Sequence, residues 1–451
     1  MKKTLFLKIF FTGLVLPISS LFGETLTDAL VKTYLNNPTL NASRALVRVE
    51  DEGLAEALSS WHPEVKFDYD LGQSNIDKND GSGSQNRNPR TNKIFIEQNL
   101  FKGWRTKGGV IQAREDVLTQ RAKLTIVEQS VILAAATAYT DVIRDKAVLK
   151  LNRNNERVLK RQLEATKDRF EVGEVTRTDV AQADARLSRA IADKIQAVGD
   201  LKSSRARYKN VVGIYPKNLQ KALPLSKLPA NETESVALAR AFNPNVLVAK
   251  HNLKSARAKV KIVEGELYPT IDLEGELSRR DQATSKTSKK DQISLTARLS
   301  LPLYQGGGTR ARIRAAKQSQ SQKTMILNAA IQNAISDSSQ SWERLSTARA
   351  QLRAFNSEVK AAEIALQGVR QEASVGSRTV LDVLDAEQEL LDARVRLLRA
   401  ERDVVVATFL VRQSVGSLTA KKLSLSVKLY NVGKRYNTLT KHWFWEQIKF
   451  K

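Results

Sequence analysis

The chain has no cysteine, only three histidines and 10 prolines in 451 residues, and aromatics make up just 6%. The missing thiols exclude disulfides, thiolate metal sites, cysteine nucleophiles and a lipidated amino-terminal Cys. His62, His251 and His442 lie far apart and beside no carboxylate motif, and no nucleotide, metal or nucleophile signature is present. The chain therefore reads as a non-enzyme with no cofactor and no metal. Long apolar runs are also scarce. Ile9 to Leu16 is apolar, but a bilayer span needs roughly 20 such residues. Met1-Lys2-Lys3 stands before this run, and Pro17, Ser19, Ser20 and Gly23 follow it, so 1–23 reads as a signal peptide. No other segment approaches a membrane-spanning helix, so the exported chain is either soluble or enters a membrane as β-strands.

Ala, Leu, Arg, Glu, Gln and Lys dominate long stretches, and 27% of residues are charged. That is the profile of long helices or coiled coil. The net charge of +25 becomes +22 once Lys2, Lys3 and Lys8 leave with the signal. The basic residues are dispersed among acids along the helices, which describes solvated helix surfaces and no nucleic-acid partner.

The chain is also written twice. Asn37-Pro38 recurs as Asn243-Pro244, and His62-Pro63 as Tyr268-Pro269, 206 positions later. Beyond that point the offset is 203: Val172-Gly173 with Asp179-Val180 recurs as Val375-Gly376 with Asp382-Val383, and Val212-Gly213 as Val415-Gly416. One small indel in a loop, within a register kept over about two hundred residues, indicates two copies of one large unit. The copies are expected over 24–230 and 231–420, with a basic tail over 421–451.

Each copy reads helix, strand, loop, strand, very long helix, tight turn, returning helix. A helix is expected from Thr27, its cap, to Ser60, stopped by His62-Pro63. Strands are expected over 64–74 and 92–101, joined by a Gly, Ser, Asn and Asp loop from Asn75 to Arg90. In copy two they fall over 270–278 and 291–303. Ile293, Leu295, Ala297, Leu299 and Leu301 alternate with Ser294, Thr296, Arg298 and Ser300, a period of two. Strands of about ten residues with one apolar and one polar face suit a transmembrane β-barrel. Four strands close no barrel, because the smallest bacterial barrels have eight. The barrel must be shared between chains, with eight strands in a dimer or twelve in a trimer. Gly103 and Gly306-Gly307-Gly308 then read as strand-to-helix bends, not phosphate cradles.

Helical composition runs without proline from Arg105 to Glu171 and from Thr309 to Ser374, rods of ~100 Å each. Turns over 172–178 and 375–380 reverse the chain. The returning helix ends near Val212, and the next copy opens with a helix from Ser235 to Gly265. These two are expected to stack end to end through Ile214–Asn231 as one composite partner of a long helix. Val383, Leu390, Leu397, Val404 and Val411 form one heptad line, and Leu384, Leu391, Leu398 and Val405 a second. Such a broad stripe contacts neighbours on two sides. The fold class is therefore mixed α and transmembrane β: barrel strands joined to a long coiled-coil-like helical barrel.

At these residues the chain resembles TolC-family outer-membrane efflux proteins, over essentially its whole mature length. The most specific segment is Ser374-Val375-Gly376-Ser377-Arg378-Thr379-Val380-Leu381-Asp382-Val383-Leu384-Asp385-Ala386, echoed more weakly from Val172-Gly173 to Thr178-Asp179-Val180. The resemblance implies a homotrimer with a twelve-stranded barrel in outer-membrane lipid and a helical tunnel projecting into the periplasm. It implies a passive exit duct for drugs or secreted proteins, working with a periplasmic adaptor and an inner-membrane pump or ABC transporter. It places a gate at the turns, where Arg378 pairs with Thr178 and Asp179, and Asp382 and Asp385 line the constriction. It places adaptor contacts at Val172, Gly173, Val375, Gly376, Ser377 and Thr379. One position departs from the family: a Tyr expected two residues before Val375 is Ala373. Asp382 also reads as a simple cap of the returning helix. The tail has three readings: it wraps the middle of the rod, contacts anionic groups of the envelope, or stays disordered. The alternative function is an exported coiled-coil tether or adhesin.

Overall fold

A computed structural model describes residues 23–78 and 83–433. The signal peptide read over 1–23 falls outside the described residues, apart from Gly23, and so does the tail from 434 onward.

The opening helix is two helices, α1 (Leu26–Asn36) and α2 (Pro38–Ser59). The expected single helix from Thr27 breaks because Asn37 is extended, with ψ 122, and caps α2 through its side chain, while Pro38 at the first helical position has no N–H to lose. The first cap is Thr25, not Thr27. Its hydroxyl accepts from the Asp28 N–H at 3.1 Å, and the Asp28 carboxylate accepts from the Thr25 N–H at 3.1 Å.

Next come β1 (Glu64–Leu71), β2 (Ser74–Lys78), β3 (Gly83–Arg87) and β4 (Arg90–Lys102). β2 and β3 pair as a hairpin where a loop was expected, because backbone pairing proceeds despite the turn-rich composition. α3 (Arg105–Glu171) is a single helix of 67 residues, and α4 (Arg177–Val212) returns from it. α5 (Glu232–Phe242) and α6 (Pro244–Glu264) repeat the α1–α2 break at Asn243-Pro244. Then follow β5 (Thr270–Asp281), β6 (Lys289–Ser300), α7 (Gly308–Ser374), also of 67 residues, and α8 (Val380–Ser414). β1 is shorter than expected, β4 and β5 are longer, and β6 begins and ends earlier, stopping before Pro302.

The main sheet is antiparallel in the order β1-β4-β5-β6. Its register aligns apolar residues in rows across all four strands: Phe67, Ile94, Leu277 and Ile293 in one, and Val65, Ile96, Gly275 and Leu295 in the next. Their neighbours along each strand form a polar face that includes the row Glu64, Glu97, Glu274 and Thr296. Among the described residues the apolar face packs on nothing: Phe67 is 65% exposed and Ile293 85%. Among the described residues β1 and β6 are both open edges.

Below the sheet, α3 packs on α4 and α8, and α7 packs on α8. Nearer the sheet, α3 lies between α2 and α6, and α6 touches α7. The helices thus form one layer with α2 and α4 along one margin and α7 along the other. Both heptad lines of α8 face inward, with Val383, Leu384, Leu390, Leu391, Val404, Val405 and Val411 buried.

Stacking differs from expectation. The side-chain amide of Asn37 donates to the carbonyl of Val211 at 3.1 Å, and that of Asn243 donates to Ser414 at 2.9 Å. α4 therefore abuts the α1–α2 break and α8 the α5–α6 break. Each composite partner is built within one copy, not between copies.

The main core lies midway along the rod. Ile132, Ala135 and Tyr139 of α3, Leu40 of α2, Tyr208 of α4, Phe409 of α8 and Leu418 are all fully buried there, and each large side chain contributes about 1.5–3 kcal/mol. One stretch of α3 is apolar and long enough to cross a membrane by composition, contrary to the sequence expectation, but more than half of it is buried. It supplies this core. The described tail joins the core as well: Leu425 is buried in it, and the Tyr430 N–H donates to the Tyr34 hydroxyl at 3.1 Å. Of the three readings of the tail, residues 421–433 follow the one that wraps the middle of the rod.

Candidate functional site: the two helix tips

Each long helix ends in the same five-residue reversal, and one backbone requirement shapes both. Gly173 has φ +80 and Gly376 φ +81, values that L side chains rarely adopt. A Cβ at either position would meet nothing within 4 Å, so the constraint there is purely conformational.

The first turn is fastened by Arg169, whose Nε donates to Glu174 Oε2 at 2.9 Å. α4 then starts from Thr176, whose hydroxyl accepts from the Asp179 N–H at 3.2 Å. The Asp179 carboxylate accepts in return from the Thr176 N–H at 2.8 Å and its hydroxyl at 2.7 Å. The hydrogen bonds from Thr176 hold the Asp179 carboxyl below the usual range.

The second turn uses the same parts with one charge pair exchanged. Arg378 Nε donates to Glu372 Oε2 at 2.8 Å, and Glu372 occupies the position that Arg169 holds in the first turn. Thr379 caps α8, and its N–H and hydroxyl donate to Asp382 Oδ2 at 2.9 and 2.8 Å. The backbone bond from Thr379 is the larger cause of the lowered Asp382 pKa.

The gate residues named from sequence are thus placed as follows. Asp179 and Asp382 are third residues of their helices, engaged by Thr176 and Thr379. Within one chain Arg378 is bonded to Glu372, not to Thr178 or Asp179. Thr178 lies exposed in the first turn of α4. Asp385 reaches to the other hairpin, forming an ion pair with Arg186 of α4. Of the expected adaptor contacts, Val172 and Val375 stand 72% and 79% exposed at the extreme ends of the rods. Gly173, Gly376 and Ser377 are exposed beside them, and Thr379 has the additional task of capping α8.

Sequence reasoning overlooked Thr176, Glu174, Glu372 and Arg186. The Thr-x-x-Asp spacing at 176–179 and at 379–382 carries the capping-box signal. Arg186 has no such mark, being one arginine among many on a helix. A small apolar cluster adjoins the Arg186–Asp385 pair: Leu159 of α3, Ala190 of α4 and Leu384 of α8 are buried together.

The tips are mirrored at the far end by the sheet, where exposed Trp61, Trp104, Tyr268 and Tyr304 ring the junction between strands and rods. Aromatic side chains collect in this way at membrane–water interfaces. The bend itself is tight at Gly103, where a Cβ would come within 2.2 Å of the Gly265 carbonyl oxygen.

Comparison with known proteins agrees with this geometry. The family described as "Outer membrane efflux protein" matches residues 29–213 and 236–417. The outer membrane efflux protein BepC of Brucella suis is 36% identical over 97% of this chain and 95% of its own length. The alkaline protease secretion protein AprF of Pseudomonas aeruginosa is 24% identical over 92% of this chain and 89% of its own. The crystal structure of the CmeC outer membrane channel of Campylobacter jejuni superimposes with a TM-score of 0.80 at 14% identity, covering 92% of this chain and 89% of that one. With its open apolar sheet, paired 67-residue rods and matching tips, the chain belongs to the TolC family of outer membrane efflux proteins.

Proposed function

We propose that this outer-membrane protein is the exit duct of a tripartite efflux or type I secretion system. In this reading three chains assemble a twelve-stranded barrel in outer-membrane lipid above a closed wall of helices that crosses the periplasm. The observation that carries it is the sheet β1-β4-β5-β6, with two unpaired edges and a bare apolar face. Open edges are not tolerated in lipid, so β1 of one copy pairs with β6 of the next, and the ring closes head to tail. The helical layer supports the same closure. Its α2 and α4 margin exposes Leu46, Val49 and Ile195, and its α7 margin exposes Met325, Ile326 and Ile364.

Two copies of one unit explain the paired bonds Asn37–Val211 and Asn243–Ser414. Each copy supplies two barrel strands, one long helix and one composite partner. The tips form the periplasmic mouth. Thr178, Asp179, Arg378, Asp382 and Asp385 act as its gate, and carboxylates gathered round one axis favour cations. The exposed Val172 and Val375, with Gly173, Gly376, Ser377 and Thr379, receive a periplasmic adaptor that links the duct to an inner-membrane pump or ABC transporter. The efflux name of BepC and the protease secretion name of AprF support the two routes, efflux and secretion.

The test is conduction. Purified full-length protein in a planar bilayer is expected to give discrete single-channel steps, whereas a tether or adhesin gives none. Absence of steps from correctly assembled protein overturns the proposal.

A further inference from the structure

We infer that Arg186 is a positioning residue of the mouth, and that its ion pair with Asp385 ties the two hairpins of one chain together and holds the mouth narrow. This rests on reading the tips as the mouth.

Most groups expected to gate the mouth are occupied within their own turns. Asp179 is held by Thr176, Asp382 by Thr379 and Arg378 by Glu372. Among the gate carboxylates only Asp385 bonds across to the other hairpin, and its partner is Arg186. The pair joins α4 to α8 beside the buried contact of Leu159, Ala190 and Leu384. Moving α8 away from α4 would therefore separate an ion pair and open an apolar contact together.

The tie also breaks the repeat. At the offset of 203, Arg186 corresponds to Glu389 and Asp385 to Gln182, so the two copies cannot make it twice. It runs once per chain, from copy one to copy two. It also places a guanidinium against a carboxylate that would otherwise add to a negative collar. Losing Arg186 therefore widens the mouth and makes it more cation-selective at the same time.

The experiment uses the full-length protein in planar bilayers, reading single-channel conductance and reversal potential in a salt gradient. An exposed pair shifts the closed-to-open balance about two-fold per protomer. Arg186→Glu is expected to raise conductance and cation selectivity, and Asp385→Arg to raise conductance while lowering cation selectivity. The exchanged double variant, Arg186→Asp with Asp385→Arg, should return conductance towards the parent. An unchanged Arg186→Glu channel, or a double variant as open as the single ones, overturns the inference. Failure of the parent to conduct would instead defeat the duct reading. Misfolding is excluded by requiring each variant to keep the parent's assembled mass. Because the chain has no native cysteine, Arg186→Cys with Asp385→Cys gives an independent check. Bridging these two with a short bismaleimide should hold conductance at the parent level, and a bridged channel that stays wide overturns the inference.

Discussion

The Asn243 side-chain amide donates to the Ser414 carbonyl at 2.9 Å, deep in the middle of the rod. The same side chain accepts from the Asn245 N–H at 2.9 Å, so one residue both starts α6 and seats the end of α8. Asn243→Ala removes a helix cap and leaves a buried carbonyl unpaired, a loss of about 2 kcal/mol. Urea unfolding of the purified protein should show the midpoint falling with the slope unchanged. Asn243→Asp keeps the cap but not the amide donor, and should fall between the two.

The capped tips have a defined pH response. Asp179 and Asp382 have lowered pKa values in the folded chain. Their contribution is therefore fully present above the ordinary carboxylate value and is lost as pH falls through the lowered one. Amide exchange at 176–182 and 379–385 should be equally protected from neutral pH to about pH 5, after correction for intrinsic rates, and lose protection below about pH 4. Thr379→Ala should remove protection at 379–385 already at neutral pH and leave the first tip unaffected.

The apolar face of the sheet makes a sided prediction. Leu295 lies in the row Val65, Ile96, Gly275 and is 75% exposed. Leu295→Arg should cost about 2–4 kcal/mol if this face meets the bilayer midplane. The measurement is the fraction of protein recovered in urea-washed outer membranes. Thr296→Arg, one residue on and facing the other way, should assemble nearly as well as the parent.

Much of this architecture was legible in the sequence, for identifiable reasons. The span of α3 follows directly from the sequence, because neither proline nor a turn cluster interrupts Arg105 to Glu171. The alternation around Ile293 placed β6, because a two-sided strand leaves a period of two. The Asn37-Pro38 repeat is plain in the sequence, but continuous helical composition on both sides masks its role as cap and first helical residue, so the pattern predicts one helix where two form. The β2–β3 hairpin escaped because pairing of backbone groups leaves no mark in a Ser, Asn and Gly segment. Chain continuity predicts α5 as the partner of α4, whereas the Asn37–Val211 bond, between distant residues, joins α4 to the α1–α2 break. Arg186 was invisible for the same reason: its role depends on Asp385, 199 residues away.

The most direct test of the account concerns the open edges of the sheet. The chain has no native cysteine, so a cysteine at each position from 65 to 71 on β1, combined with Leu295→Cys on β6, reports contact between copies without background. Under oxidation, at least one pair of the full-length protein in outer membranes should give covalent species that end at three chains. If no pair joins, or if the ladder ends at another number, the shared barrel proposed here is contradicted.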